Sequence, residues 1–146
     1  IQEADLIVIG PGSLFTSILP NLIVPEIGKE VIKAKAEKVY ICNLMTQAGE
    51  TNNFSASDHV KALYEHTDEP FIQKIIVNKA AIPENIKLRY KGEDASPVPL
   101  DLENLKELGI DIITGDIVTF EGGVLRHDTK RLSHIIYQLL SDTLTR

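Results

Sequence analysis

The sequence predicts an α/β fold, a doubly wound and mainly parallel Rossmann-like sheet with a small β-hairpin near the carboxyl terminus. Two observations carry this. Four short apolar runs, Leu6–Ile9, Val39–Cys42, Phe71–Val77 and Ile110–Ile113, recur along the chain, each long enough for a buried strand and too short for a helix. Helical patterns fill the gaps between them, and strand–helix alternation implies parallel strands joined by right-handed crossovers. At 146 residues and 16.2 kDa the chain reads as a single α/β domain over 1–146.

Each helix has a physical reason to start where it does. Pro25 opens the segment through Ala36, in which Ile27 and Val31 share a face, and proline is well placed in a first turn. Ser55 with Asp58 makes an S-x-x-D start before Val60, Leu63 and Tyr64. Asp101 is placed to cap the turns carrying Leu102, Leu105 and Leu108, which Gly109 then stops in a left-handed conformation. A last helix follows Asp128, with Leu132, Ile135, Ile136, Leu139 and Leu140 as its core stripe. Two stretches break the rhythm. Residues 83–99 read as polar and irregular, and Val118–Phe120 with Val124–Arg126 flank Glu121-Gly122-Gly123 as a hairpin would.

Composition excludes several classes of function. Mean hydropathy is −0.01 and no stretch approaches the ~20 apolar residues of a membrane span. Fifteen Lys+Arg against 21 Asp+Glu give a net charge of −6, so no basic field exists to hold nucleic acid. The single cysteine, Cys42, cannot form an internal disulfide, which points to the cytoplasm. The chain opens on Ile1 with a strand only five residues later, the pattern expected of the carboxyl-terminal half of a larger α/β protein.

Ligands of open parallel sheets bind beyond the carboxyl ends of the strands. There the sequence places Gly10-Pro11-Gly12-Ser13, Asn43, Asn78 and Thr114-Gly115-Asp116. Residues Gly10 to Ser17 read either as a phosphate cradle, formed by glycine backbone and the following helix start, or as a tight turn. Phe15 stands where the dinucleotide fingerprint needs glycine, and no Walker motif occurs, so NAD and Walker-type NTP sites are disfavoured. Cys42 reads as an inert core thiol, and the histidines His59, His66, His127 and His134 lack zinc-site spacing. Asp116 is the best acid for a metal or a base. Arg126 reads as a phosphate ligand or a solvated loop arginine, and Tyr90 as a stacking ring or a hydrophobic peg. Asn43 and Asn78 carry amides able to pair with a base edge or to tie strand ends.

The runs Ala4–Leu22 and Cys42–Thr51, together with Ser57-Asp58-His59-Val60 and Arg126-His127-Asp128-Thr129, closely resemble the gluconeogenesis factor (YvcK-like) family, related to the 2-phospho-lactate transferase CofD. The family's glycine-rich amino-terminal half has no counterpart here. The resemblance implies a cytoplasmic protein that binds UDP-sugars such as UDP-N-acetylglucosamine and links carbon metabolism, cell-wall synthesis and cell shape. It implies that Tyr90 lies near base and sugar and Arg126 at the diphosphate, and with the strand-end residues Gly10, Pro11, Gly12, Ser13, Ser17, Asn43 and Thr46 these two make up the expected ligand-binding set. It also lifts Gln47, Gly49, Glu50 and Thr51 above ordinary loop residues. The alternative it leaves is a magnesium-dependent CofD-like transferase using Mg2+ at the phosphates; CofD relatives carry asparagine-proline where this chain has Gly10-Pro11-Gly12-Ser13. Catalytic residues are not expected under the binding reading, and self-association stays open.

Overall fold

A computed structural model describes residues 1–145. Strands β1 (Leu6–Ile9), β2 (Glu37–Ile41), β3 (Lys74–Asn78) and β4 (Asp111–Gly115) form one parallel sheet in the order β1-β2-β3-β4. The connections step in one direction, so right-handed crossovers put their helices on a common face. That face carries α1 (Leu19–Leu22), α2 (Pro25–Lys33), α3 (Ala56–Thr67) and α5 (Leu102–Glu107), whose Leu22, Val31, Val60, Leu63 and Leu105 pack against Ile9, Tyr40, Ile75 and Val77. The opposite face, with Val39, Ile41 and Ile76, is covered by a hairpin of β5 (Val118–Glu121) and β6 (Val124–His127), by α6 (Thr129–Leu144), and by α4 (Glu84–Lys91). The α/β class and the carboxyl-terminal hairpin are as the sequence predicts.

The helix starts obey the expected chemistry. Ser55 accepts from the Asp58 N–H while Asp58 accepts from the Ser55 N–H, a complete capping box on α3. Asp128 accepts from the Arg131 N–H at the start of α6. Asp101 stands at the N-cap position of α5 but makes no cap bond to that helix. Its carboxylate instead accepts from Ser55 Oγ at 2.8 Å, Ser57 Oγ at 2.5 Å, the Ser57 N–H at 3.0 Å and Asn104 Nδ2 at 2.9 Å, tying the start of α3 to α5. Burial works against the charge, yet these hydrogen bonds outweigh it and pull the carboxyl down to about 2.

Two expectations need correction. The segment 83–99 is not irregular throughout: α4 spans Glu84–Lys91. It buries no residue fully, and only Ile86 and Tyr90, four apart, lean on the core, so its apolar stripe is too thin to stand out among charges. The Phe71–Val77 run is not all strand either; the ladder begins at Lys74, while Phe71 and Ile72 approach it as buried coil.

Gly28 fixes the α1–α2 corner. A Cβ there would lie 2.1 Å from the Leu22 carbonyl oxygen, so no other residue fits without moving backbone.

Candidate functional site

Beyond the carboxyl ends of β1 and β2 lies an open cavity of about 700 Å3, within the range of small-molecule sites. Four distant parts of the chain meet in it: the turn after β1 (Pro11, Gly12, Ser13), the loop after β2 (Asn43, Thr46, Gln47, Glu50), α4 (Tyr90) and β6 (Arg126, His127). Seven of the nine predicted site residues are therefore brought together. Gly10 and Ser17 are not; with Pro11 and Gly12 they line a separate cleft beside β1.

The turn after β1 depends on Gly10, whose φ of +86° belongs to the left-handed side and whose Cβ would crowd the Ile41 carbonyl at 3.1 Å. The chain continues into a π-helical turn over Leu14–Ile18 and then the four-residue α1, rather than into one long helix. So few aligned peptides carry little dipole, and most positive charge offered to an anion must come from Arg126, which is exposed at the cavity. Ser13 Oγ donates to Glu50 at 2.9 Å and accepts from Thr16 Oγ1 at 2.6 Å, so the first two loops are locked together by a carboxylate.

The loop after β2 builds itself. The Gln47 N–H donates to Thr51 Oγ1, and the Glu50 and Thr51 N–H groups return to the Gln47 carbonyl. Thr46 is buried and exchanges hydrogen bonds with Ser96, its N–H to the Ser96 carbonyl at 2.7 Å and its Oγ1 from the Ser96 N–H at 2.9 Å, which anchors the loop to 95–98. Gln47 Oε1 is buried without a hydrogen-bond partner among the described residues, and an orphan acceptor of this kind carries a desolvation cost that a donor would relieve.

Tyr90 has a half-buried ring packed on the second-face core, and its hydroxyl accepts from the Leu125 N–H at 3.0 Å. Arg89 donates to the Gly123 carbonyl at 2.6 Å. Through these two bonds α4 holds the strand that carries Arg126. His127 donates from Nε2 to the Cys42 carbonyl at 3.2 Å, a direction set by the carbonyl being an acceptor only, and this leaves Nδ1 as an acceptor. Burial draws the imidazole below its ordinary range, with that hydrogen bond working the other way. Sequence reasoning gave His127 and the Ser13–Glu50 lock no part in the site. The position of His127 directly after Arg126 was the available signal.

The remaining candidates fall elsewhere. Asn78 ties strand ends: Oδ1 accepts from the Ala80 and Ile117 N–H groups and Nδ2 donates to the Ala80 carbonyl. Cys42 is buried and its thiol is pushed up to about 12, chiefly by burial, so it is inert. Asp116 lines a different groove, of about 1030 Å3, between the ends of β3 and β4 and α6. Asp116, the acid singled out for a metal or a base, is away from the glycine turn, and the carboxylates that line the main cavity are Glu50 and Glu93; no three His, Cys, Asp or Glu converge among the described residues. No helix among them is long and apolar enough to cross a membrane.

The fold and site define an α/β protein whose strand-end turn shares one cavity with a distant arginine, and comparison with known proteins narrows that class. The family model described as 2-phospho-L-lactate transferase CofD matches residues 1–118, and the chain belongs to that family. Within it the chain is similar to proteins named gluconeogenesis factor: 56% identical over 142 residues to that of Bacillus subtilis (97% of this chain, 45% of the relative), and 39% identical to a putative one of Clostridium acetobutylicum (97% and 32%). The solved structure of protein BH3568 from Bacillus halodurans, also described as a member of the UPF0052 family, superposes with a TM-score of 0.90 at 44% identity, covering 93% of this chain and 44% of that one. The chain thus spans less than half the length of these relatives.

Proposed function

We propose that the chain forms part of a UDP-sugar-binding protein, with UDP-N-acetylglucosamine as its ligand, that acts in the cytoplasm without turnover to link carbon metabolism with cell-wall synthesis and cell shape. The observation that carries this reading is the single cavity in which the glycine turn and Arg126 face each other, 114 positions apart for Gly12 and Arg126 (126 − 12). A diphosphate between them takes charge-assisted hydrogen bonds from the guanidinium and main-chain N–H groups from the turn. The free acceptors Gln47 Oε1 and His127 Nδ1 suit the hydroxyl and amide donors of a sugar. The similarity to proteins named gluconeogenesis factor supports the link to carbon metabolism.

Isothermal titration of the full-length polypeptide with UDP-N-acetylglucosamine tests this. A dissociation constant of about micromolar order and a raised melting temperature are expected. No heat and no thermal shift would overturn the reading. The CofD match favours a second reading, transfer of a phosphate-linked group. Incubation with UDP-N-acetylglucosamine and magnesium, with products read by mass spectrometry, separates the two: a new product supports transfer, and unchanged ligand supports binding alone.

A further inference from the structure

The groove of about 1030 Å3 between the ends of β3 and β4 and α6 shares no lining residue with the main cavity and has no part in the function proposed above. We propose that this groove is a docking surface for a partner protein, and that it takes a polypeptide segment in which an apolar anchor is flanked by Asp or Glu. The proposal stands independently of the nucleotide-sugar reading.

Three observations carry it. Lys130, Ser133, His134 and Tyr137 recur at the spacing of one helical stripe and are all exposed, so α6 turns this side to solvent while Leu132 and Leu139, on the other, face the core. Tyr137 is 68% exposed and lines the groove with the half-buried Ile135 and the buried Ile117, an apolar floor beside an aromatic ring of the kind that anchors protein interfaces.

The second observation is charge. Lys79, Lys130 and Arg131 stand at the groove against Asp116 and Asp128, three cations to two acids on a chain whose net charge is −6. Asp128 is already engaged by the Arg131 N–H and, at 3.3 Å, by the Arg131 guanidinium, which also donates to the Asp116 carbonyl. Lys79 and Lys130 make no ion pair among the described residues, so two ammonium groups are left for carboxylates from outside. A nucleic acid, charged along its whole length, would meet the acidic surface beyond the groove. The third is shape. Both lysines, Arg131 and the α6 stripe are exposed, whereas sites for small ligands enclose most of the ligand's surface. A polypeptide segment laid along the groove covers Tyr137 and brings its acids to the lysines.

The test is selection of a random peptide library displayed on phage against the full-length polypeptide. Fluorescence anisotropy then measures the enriched peptides on the unmodified protein, on Lys79→Glu combined with Lys130→Glu, on Tyr137→Ala and on Arg126→Ala. The enriched peptides are expected to carry Asp or Glu on both sides of an apolar residue, and to weaken about ten-fold on the charge-reversed variant and about five-fold on Tyr137→Ala. Arg126→Ala should leave their affinity unmoved, and added salt should lower it. No enrichment, peptides without an acidic excess, or affinities that the groove variants leave unchanged overturn the proposal. Loss on Arg126→Ala overturns it too, because the peptide then occupies the main cavity. Sedimentation velocity tests the rival occupant, a second copy: a dimer that Tyr137→Ala dissociates overturns the partner reading. Melting curves check that the variants fold, and Lys130→Glu alone replaces the double variant should that one not fold.

Discussion

Helices α3 and α4 both come after a sheet strand, yet they are held in opposite ways. In α3 six residues are buried, its start has a full capping box, and Asp101 fastens it to α5 through three hydrogen bonds from Ser55 and Ser57. In α4 no residue is fully buried, and two hydrogen bonds, from Arg89 to the hairpin and from the hairpin to Tyr90, join it to the β5–β6 unit. One face of the sheet is a packed scaffold. The other has an apolar core of its own, but α4 only leans on it through Ile86 and Tyr90 and is joined to the hairpin by those two hydrogen bonds, as expected of a segment drawn from the low-stability end of a fold.

The contrast can be broken by substitution. Gly28→Ala, on the scaffold side, forces a Cβ into the Leu22 carbonyl and is expected to cost about 3 kcal/mol or more, read as a lower denaturant midpoint. Arg126→Ala, on the site side, is expected to leave that midpoint in place while weakening UDP-N-acetylglucosamine by roughly 1.5–3 kcal/mol in titration calorimetry. A midpoint shift without an affinity change would place Arg126 in the scaffold instead.

Asp101→Asn should lower stability by about 1.5 kcal/mol at neutral pH with ligand affinity unchanged. Because the folded carboxyl lies at about 2, below the ordinary carboxylate value, its contribution is complete above about pH 4 and is lost as pH falls toward 2. The variant's stability deficit should therefore shrink over that window in acid unfolding series, and a deficit constant from pH 7 to pH 2 would refute the carboxylate's role. The smallest effect is expected for Tyr90→Phe, which removes the acceptor for the Leu125 N–H and should cost about 1 kcal/mol, seen as faster amide exchange confined to β6 and α4.

The strands and the capped helices were legible because their signals are local: apolar runs of strand length, Pro25 in a first turn, Ser55 with Asp58, and Asp128 before an apolar stripe. Helix α4 was not, since its stripe is two residues among charges. The role of Asp101 was half legible: its N-cap position can be read from the sequence, but its partners lie 44 and 46 residues away. Asn43 and Asn78 likewise read alike as amides at strand ends; Asn78 is committed locally to Ala80 and, 39 residues on, to the Ile117 N–H, a partner that only the fold reveals.

The central claim is that a diphosphate sits between the turn after β1 and β6. Backbone amide chemical shifts during titration with UDP-N-acetylglucosamine test it most directly. Gly12, Ser13, Leu125 and Arg126 should move together and saturate, with α3 and α5 unaffected. Movement instead at Lys79, Gly115, Lys130 and Tyr137, around the larger groove beside α6, would contradict it.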